Sequence, residues 1–192
     1  METKTIDMSE YNVRLYDALK ATNYLVIPNF VGEADCEWLY TGFKYYCEYN
    51  NICGDDMVPN SSSEYNFPMF TQLLVEKTKQ ISDLLKVKVL PTYSYARIYR
   101  NGSVLTPHRD RNQCEISISC NLNGDTEWSF FIEDPRGSTQ EVKLNKGDAV
   151  IYLGPDATHW REEYTGESYT QVFLHYVRTY GEYGNLYFDK CQ

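Results

Sequence analysis

The sequence predicts a mainly β domain with flanking α-helices, and three observations carry that reading. Residues 1–88 contain two amphipathic helical stripes. From residue 89 the hydrophobic period changes from that of a helix to that of a strand. About eight short strands then follow at even spacing, divided by turns rich in Gly, Pro, Asn and Asp, a pattern that closes as a sandwich or barrel.

Taken in order, residues 1–22 are polar and mixed, with a short helix expected around Arg14 to Ala21. Asn23 to Phe30 contains Tyr-Leu-Val-Ile and reads as a strand ended by Pro28 and Asn29. In Glu33 to Tyr49, the apolar residues Cys36, Leu39, Phe43 and Tyr46 or Cys47 fall at helical spacing, and Glu33 and Asp35 suit the positive end of the helix dipole. Residues 53–67 are rich in Ser, Asn, Gly and Pro and read as a mobile surface loop, a common substrate lid. A second helix is expected from Pro68 to about Lys86, with Phe70, Leu73, Leu74, Ile81, Leu84 and Leu85 on one stripe.

The strands begin with Thr92 to Arg100, which places Tyr93, Tyr95, Arg97 and Tyr99 on one face and Ser94, Ala96 and Ile98 on the other. After the Asn101-Gly102 turn comes Leu-Thr-Pro-His-Arg-Asp-Arg, residues 105–111. Cys114 to Leu122 alternates most cleanly: Cys114, Ile116, Ile118, Cys120 and Leu122 point inward, and Glu115, Ser117, Ser119 and Asn121 point the opposite way. Further strands are expected at Trp128 to Ile132, Thr139 to Leu144, Ala149 to Leu153, Thr158 to Glu162 and Tyr169 to Arg178. Thr179 to Gln192 shows no periodicity.

At 192 residues and 42% hydrophobic content, the chain fits one domain with one sizeable core. A net charge of −9 and a pI near 4.8 disfavour a phosphate backbone as partner, so no nucleic acid is expected. Six Cys without a Cys-x-x-Cys pair read as reduced packing residues. The first residues lack the apolar run of a signal peptide and no segment is long enough to span a bilayer, so a soluble cytoplasmic protein is expected.

Chemistry concentrates at His108 and Asp110. Two apart on a strand, they share a face and can grip one ion; an imidazole and a carboxylate completed by a distant His form the facial triad that holds Fe(II) with open coordination positions. The other two His are His159 and His175. His175 lies in an apolar strand and suits a hydrogen-bonded core or pocket wall better than a metal. Several arginines, Arg97, Arg100, Arg109, Arg111 and Arg161, lie near these residues in sequence and would suit an anionic cosubstrate.

The pattern Tyr99-x-x-Gly102-x-x-x-x-Pro107-His108-x-Asp110, followed by Lys146-Gly147-Asp148-Ala149-Val150 and then His159, resembles the Fe(II)- and 2-oxoglutarate-dependent dioxygenases of the prolyl 4-hydroxylase type. Matching positions run from about residue 90 to 178. The resemblance implies a double-stranded β-helix, or jelly roll, in a single domain spanning 1–192. Its helical N-terminal part would cover about 1–88 and its jelly-roll core about 89–178. It also implies Fe(II), 2-oxoglutarate and O2 as cofactors, His108, Asp110 and His159 as catalytic iron ligands, and Tyr99 as a cosubstrate contact.

One departure stands out. The family places a Lys or Arg nine or ten residues after the last His to bind the far carboxylate of 2-oxoglutarate, but here those positions hold Ser168 and Tyr169. Arg161, two past His159 and on its face, is the favoured substitute because a guanidinium pairs with a carboxylate in bidentate fashion; Gln171 and Asn121 are weaker candidates. The expected reaction is hydroxylation of an unactivated C–H bond, in a prolyl residue of a peptide or protein or, alternatively, in a free amino acid or other small molecule. Retention of Asp110 favours hydroxylation over halogenation. A cupin-like metal-binding module without oxygenase activity is the reading from another class. Repair of alkylated nucleic acid is disfavoured by the acidic charge.

Overall fold

The computed structural model describes residues 15–188. Three helices, α1 (Leu15–Thr22), α2 (Glu33–Tyr49) and α3 (Pro68–Leu85), accompany ten strands: β1 (Tyr24–Ile27), β2 (Ser61–Tyr65), β3 (Val89–Arg100), β4 (Leu105–His108), β5 (Ile116–Gly124), β6 (Phe130–Glu133), β7 (Thr139–Val142), β8 (Ala149–Tyr152), β9 (His159–Arg161) and β10 (Ser168–Arg178). The strands form a six-stranded sheet of order β1-β8-β5-β10-β3-β2 and a four-stranded sheet of order β4-β9-β6-β7, and every pairing is antiparallel. Strands distant in sequence alternate between the two sheets, as a double-stranded β-helix requires.

The helices cover one face of the larger sheet. Cys36, Leu39 and Phe43 of α2 and Phe70, Leu74 and Ile81 of α3 meet Ala96, Ile98, Ile116, Ile118, Cys120, Val172 and Leu174 in one buried cluster. Each fully buried aliphatic side chain there contributes about 1.5–3 kcal/mol relative to exposure. Pro68 opens α3 at a position where no amide proton is needed, and Lys86 closes it in the left-handed region at φ 54°. Cys36, Cys47, Cys114 and Cys120 are buried, and Cys53 is exposed. Among the described residues no helix is long and apolar enough to cross a membrane.

One expectation is corrected, the unbroken loop over residues 53–67, and two others gain a physical account. The polar face of β5 is buried, with Ser117 and Ser119 0% exposed and Asn121 5% exposed, because it lines the space between the two sheets. Both faces of a central strand are covered here, and the polar residues mark the chemical side. Next, part of the 53–67 loop is strand. Ser61 to Tyr65 pairs with Tyr99 to Tyr95 at the sheet edge, so an available row of backbone partners overrides the weak strand preference of serine. Last, the Lys146-Gly147-Asp148 turn has a structural task. Gly147 sits at φ +86° with no room for a Cβ against Val31 O, while Asp148 accepts from the amides of Asn29 and Asn145. The short helix expected from Arg14 begins at Leu15 among the described residues, and Arg14 lies outside them.

Candidate metal centre

A register shift builds the site. Leu105 pairs with Arg161, but His108 pairs with His159, so β4 contains one residue more than β9 between the two pairs. Side chains alternate along a strand, and without the extra residue Pro107 would stand opposite His159 and His108 would face outward. The bulge falls at Thr106-Pro107, where proline has no amide proton to leave unpaired. It turns His108 inward.

There, His108 Nε2 and His159 Nε2 lie 3.6 and 3.7 Å from Asp110 Oδ1, and the imidazole centroids are 4.3 Å apart. Each Nδ1 is 2.9 Å from a backbone carbonyl, Thr106 O for His108 and Ala157 O for His159. A carbonyl can only accept, so each Nδ1 carries the proton and each Nε2 offers its lone pair to the centre. His159 is 2% exposed, and burial lowers its pKa against the opposing pull of Asp110, favouring the neutral imidazole. Asp110 is held from behind. Its amide donates to Gly154 O at 3.0 Å, Ser117 Oγ lies 3.2 Å from Oδ2, and a Cβ on Gly154 would come within 2.6 Å of that oxygen.

The three side chains face a cavity of about 260 Å³. Its wall takes Tyr93, Tyr95, Arg97 and Tyr99 from the inner face of β3, Phe173 and His175 from β10, and Phe130 and Tyr152 from β6 and β8. Arg109 and Arg111 flank the opening. Asp55, from the segment before β2, accepts from Tyr95 Oη at 2.7 Å and from Arg97 Nη2. Burial opposes its ionisation, but Tyr95, Arg97 and the Val58 and Met57 amides outweigh that and hold its carboxyl below the usual range. So residues preceding β2 are tied to the cavity rim.

The anion-clamp candidates separate. Arg161 is 1% exposed, with its guanidinium 4.7 Å from the Trp128 ring, 5.5 Å from Phe130 and 5.2 Å from Tyr169. Its Nη1 donates to Trp128 O at 2.6 Å, while Nη2 has no partner, and the Tyr169 hydroxyl nearby also lacks a hydrogen bond of good geometry. Arg161 and Tyr169 thus lie against each other behind the cavity, whose lining includes Tyr99 and Phe130 but neither of these two. By contrast, Asn121 Nδ2 donates to Leu144 O at 3.0 Å and Gln171 Nε2 to Ser119 Oγ at 2.7 Å, so the donors of both amides are committed within the protein. Tyr99, 1% exposed, packs edge-on against Trp128 at 4.8 Å and reaches the cavity.

Sequence reasoning passed over five contributors: Ser117, Gly154, Asp55 and the carbonyls of Thr106 and Ala157. Ser117 carried a signal, since it belongs to the polar face of β5. His175 is a hydrogen-bonded cavity wall, with Nδ1 2.9 Å from Ser117 Oγ and a pKa lowered by burial to about 4.

The fold is a double-stranded β-helix, and two imidazoles and a carboxylate gather at the wall of its cavity. No family model matches the sequence, and no curated protein matches it. Solved structures do. The chain is similar to a Pseudomonas putida prolyl-4-hydroxylase (TM-score 0.68, 13% identity, covering 85% of this chain and 96% of that one). It is similar also to the non-heme α-ketoglutarate-dependent carbocyclase SnoK from nogalamycin biosynthesis (TM-score 0.71, 10% identity, 88% and 85% covered). A third similar structure is HygX from Streptomyces hygroscopicus with nickel, 2-oxoglutarate and hygromycin B bound (TM-score 0.65, 15% identity, 87% of each chain). At such identities the likeness establishes the fold.

Proposed function

We propose that this protein is an Fe(II)- and 2-oxoglutarate-dependent dioxygenase that hydroxylates an unactivated C–H bond. One observation carries the reading: two histidines, each with Nδ1 tied to a backbone carbonyl, turn Nε2 toward the same Asp110 oxygen at the wall of an open cavity. This N,N,O donor set fits a divalent iron and leaves the cavity side free. His108, Asp110 and His159 would hold the metal. Arg161 Nη2, with Tyr169 and Tyr99, would take the distal carboxylate of 2-oxoglutarate, and the rings of Trp128 and Phe130 keep water from that ion pair. Bound there, Fe(II) supplies activation of O2 coupled to decarboxylation of 2-oxoglutarate, so that one oxygen atom enters succinate and the other the substrate, with release of CO2. What the chain itself adds is orientation of the target carbon against the metal face.

A prolyl residue of a peptide or protein is the first substrate reading, supported by the fold neighbour of that activity and by the Tyr65, Tyr93, Tyr95 and Phe173 rings, against which a pyrrolidine can pack. A small molecule is the second reading. It is favoured by the Asp55 latch, which narrows the rim, and by the fold shared with HygX, whose structure contains hygromycin B. The test is succinate formation from 2-oxoglutarate with added Fe(II), on proline-containing peptides and on free amino acids. Wild type should turn over and His108→Ala should not. A wild type without metal-dependent turnover or 2-oxoglutarate binding would leave a metal-binding module of cupin type.

A further inference from the structure

His175 stands outside the three converging side chains yet joins them through a serine. Its Nδ1 lies 2.9 Å from Ser117 Oγ, and Ser117 Oγ lies 3.2 Å from Asp110 Oδ2, the carboxylate oxygen turned away from His108 and His159. Ser117 is 0% exposed and His175 is 5% exposed. The serine has one proton to give. Of its neighbours, Asp110 Oδ2 is a carboxylate oxygen, whereas Cys114 O at 3.2 Å is a neutral carbonyl and the Tyr152 hydroxyl a neutral phenol, and a charged acceptor makes the stronger bond. With that proton committed to Asp110, the 2.9 Å contact requires His175 Nδ1 to be the donor. The chain therefore has one direction, from imidazole N–H to hydroxyl to carboxylate.

Position explains why this matters. A carboxylate beside a divalent cation can present one oxygen or both, and rotation about its last torsion interconverts the two. Here Oδ1 faces the imidazoles, while Oδ2 is engaged by Ser117 and crowded by Gly154. Resting on the metal assignment proposed above, we infer that Ser117 and His175 are a positioning pair that fixes the rotation of the Asp110 carboxylate, so that only Oδ1 serves the cation and a coordination place is kept for cosubstrate. Cys114 Sγ clusters with Asp110 and His175 and lies 3.0 Å from Tyr93 Oη. Regular alternation along β10 puts His175 on the cavity face with Phe173 and directly across from Ser117 of β5.

The experiment is Co(II) titration of metal-free protein, followed by calorimetry and by the visible absorption of the bound ion, in wild type, Ser117→Ala, His175→Leu, His175→Asn, the Ser117→Ala/His175→Leu double variant and His108→Ala. Because partners behind a ligand typically change metal affinity by about 10–100-fold, Ser117→Ala and His175→Leu should each weaken Co(II) by roughly tenfold or more and alter the absorption envelope. His175→Asn, whose amide N–H stands where the imidazole Nδ1–H was, should restore both. The double variant should bind no worse than Ser117→Ala, since His175 acts through the serine. Wild-type affinity and spectrum in a folded His175→Leu or Ser117→Ala protein overturn the inference, as do additive losses or failure of His175→Asn to rescue. If instead His108→Ala binds Co(II) as wild type does, the metal assignment itself falls.

Discussion

Single residues divide here by whether their polar atoms are spent. Arg161 and Tyr169 keep Nη2 and a hydroxyl without a well-aligned partner inside a ring of aromatic side chains, whereas Asn121 and Gln171 each give a donor to the protein and keep only their amide oxygens, which repel a carboxylate, unpartnered. Arg161→Met should therefore weaken 2-oxoglutarate by about a hundredfold in calorimetry on metal-loaded protein, as expected for loss of a charge-assisted pair worth ~1.5–3 kcal/mol. Metal affinity should stay within a few-fold of wild type, and Gln171→Leu should matter much less for the cosubstrate. A 2-oxoglutarate affinity untouched by Arg161→Met would move the clamp elsewhere, with cavity-lining Arg97 next to be tested.

The elements carry the register. Deleting Thr106 should remove the β4 bulge, return β4 to regular alternation and turn His108 outward, so Co(II) binding should be lost while far-ultraviolet circular dichroism persists. Retained Co(II) binding in that deletion would mean that the bulge does not aim His108. The turn entering β10 offers a test by pH. Asp125 accepts from the Tyr164 hydroxyl and the Glu167 and Ser168 amides, and these bonds, that of Tyr164 foremost, depress its pKa from 3.8 to about 2. A depressed carboxyl stabilises the fold above its unfolded pKa near 4, and that contribution is lost as pH falls through about 2. Asp125→Asn should hence show a shallower loss of stability between about pH 4 and 2 in denaturant titrations, with a small effect because the group is exposed and screened. Equal slopes in the two proteins would remove Asp125 from the acid limb.

Over the whole molecule, acidic charge surrounds a cavity whose rim includes Arg97, Arg109 and Arg111. The net field repels polyanions, and these guanidiniums would suit the small dianion proposed above. Metal and 2-oxoglutarate that bind the folded chain alone should raise its stability by about 2.7 kcal/mol at a hundred times Kd, read as a rise in Tm when Mn(II) and 2-oxoglutarate are added together. His108→Ala should show no such rise. A melting temperature indifferent to both ligands in wild type would count against the proposed site.

From the sequence alone, the helices over Glu33 to Tyr49 and from Pro68, most of the strands, the mainly β class and the candidates His108, Asp110 and His159 were legible. The elements and the shared face of His108 and Asp110 follow from period and spacing, which are local properties of a chain, and His159 follows from the resemblance to the prolyl 4-hydroxylase type. What the sequence could not show was decided between strands. Pairing turned Ser61 to Tyr65 into an edge strand, gave the polar face of β5 an interior to line, and through one extra residue faced His108 toward His159. Pairing also brought Ser117 between His175 and Asp110, positions whose order along the chain gives no hint of contact. Alternation tells which residues of one strand share a face, but the face that meets a partner, and the partner it meets, depend on register across the sheet, which only the assembled sheets determine.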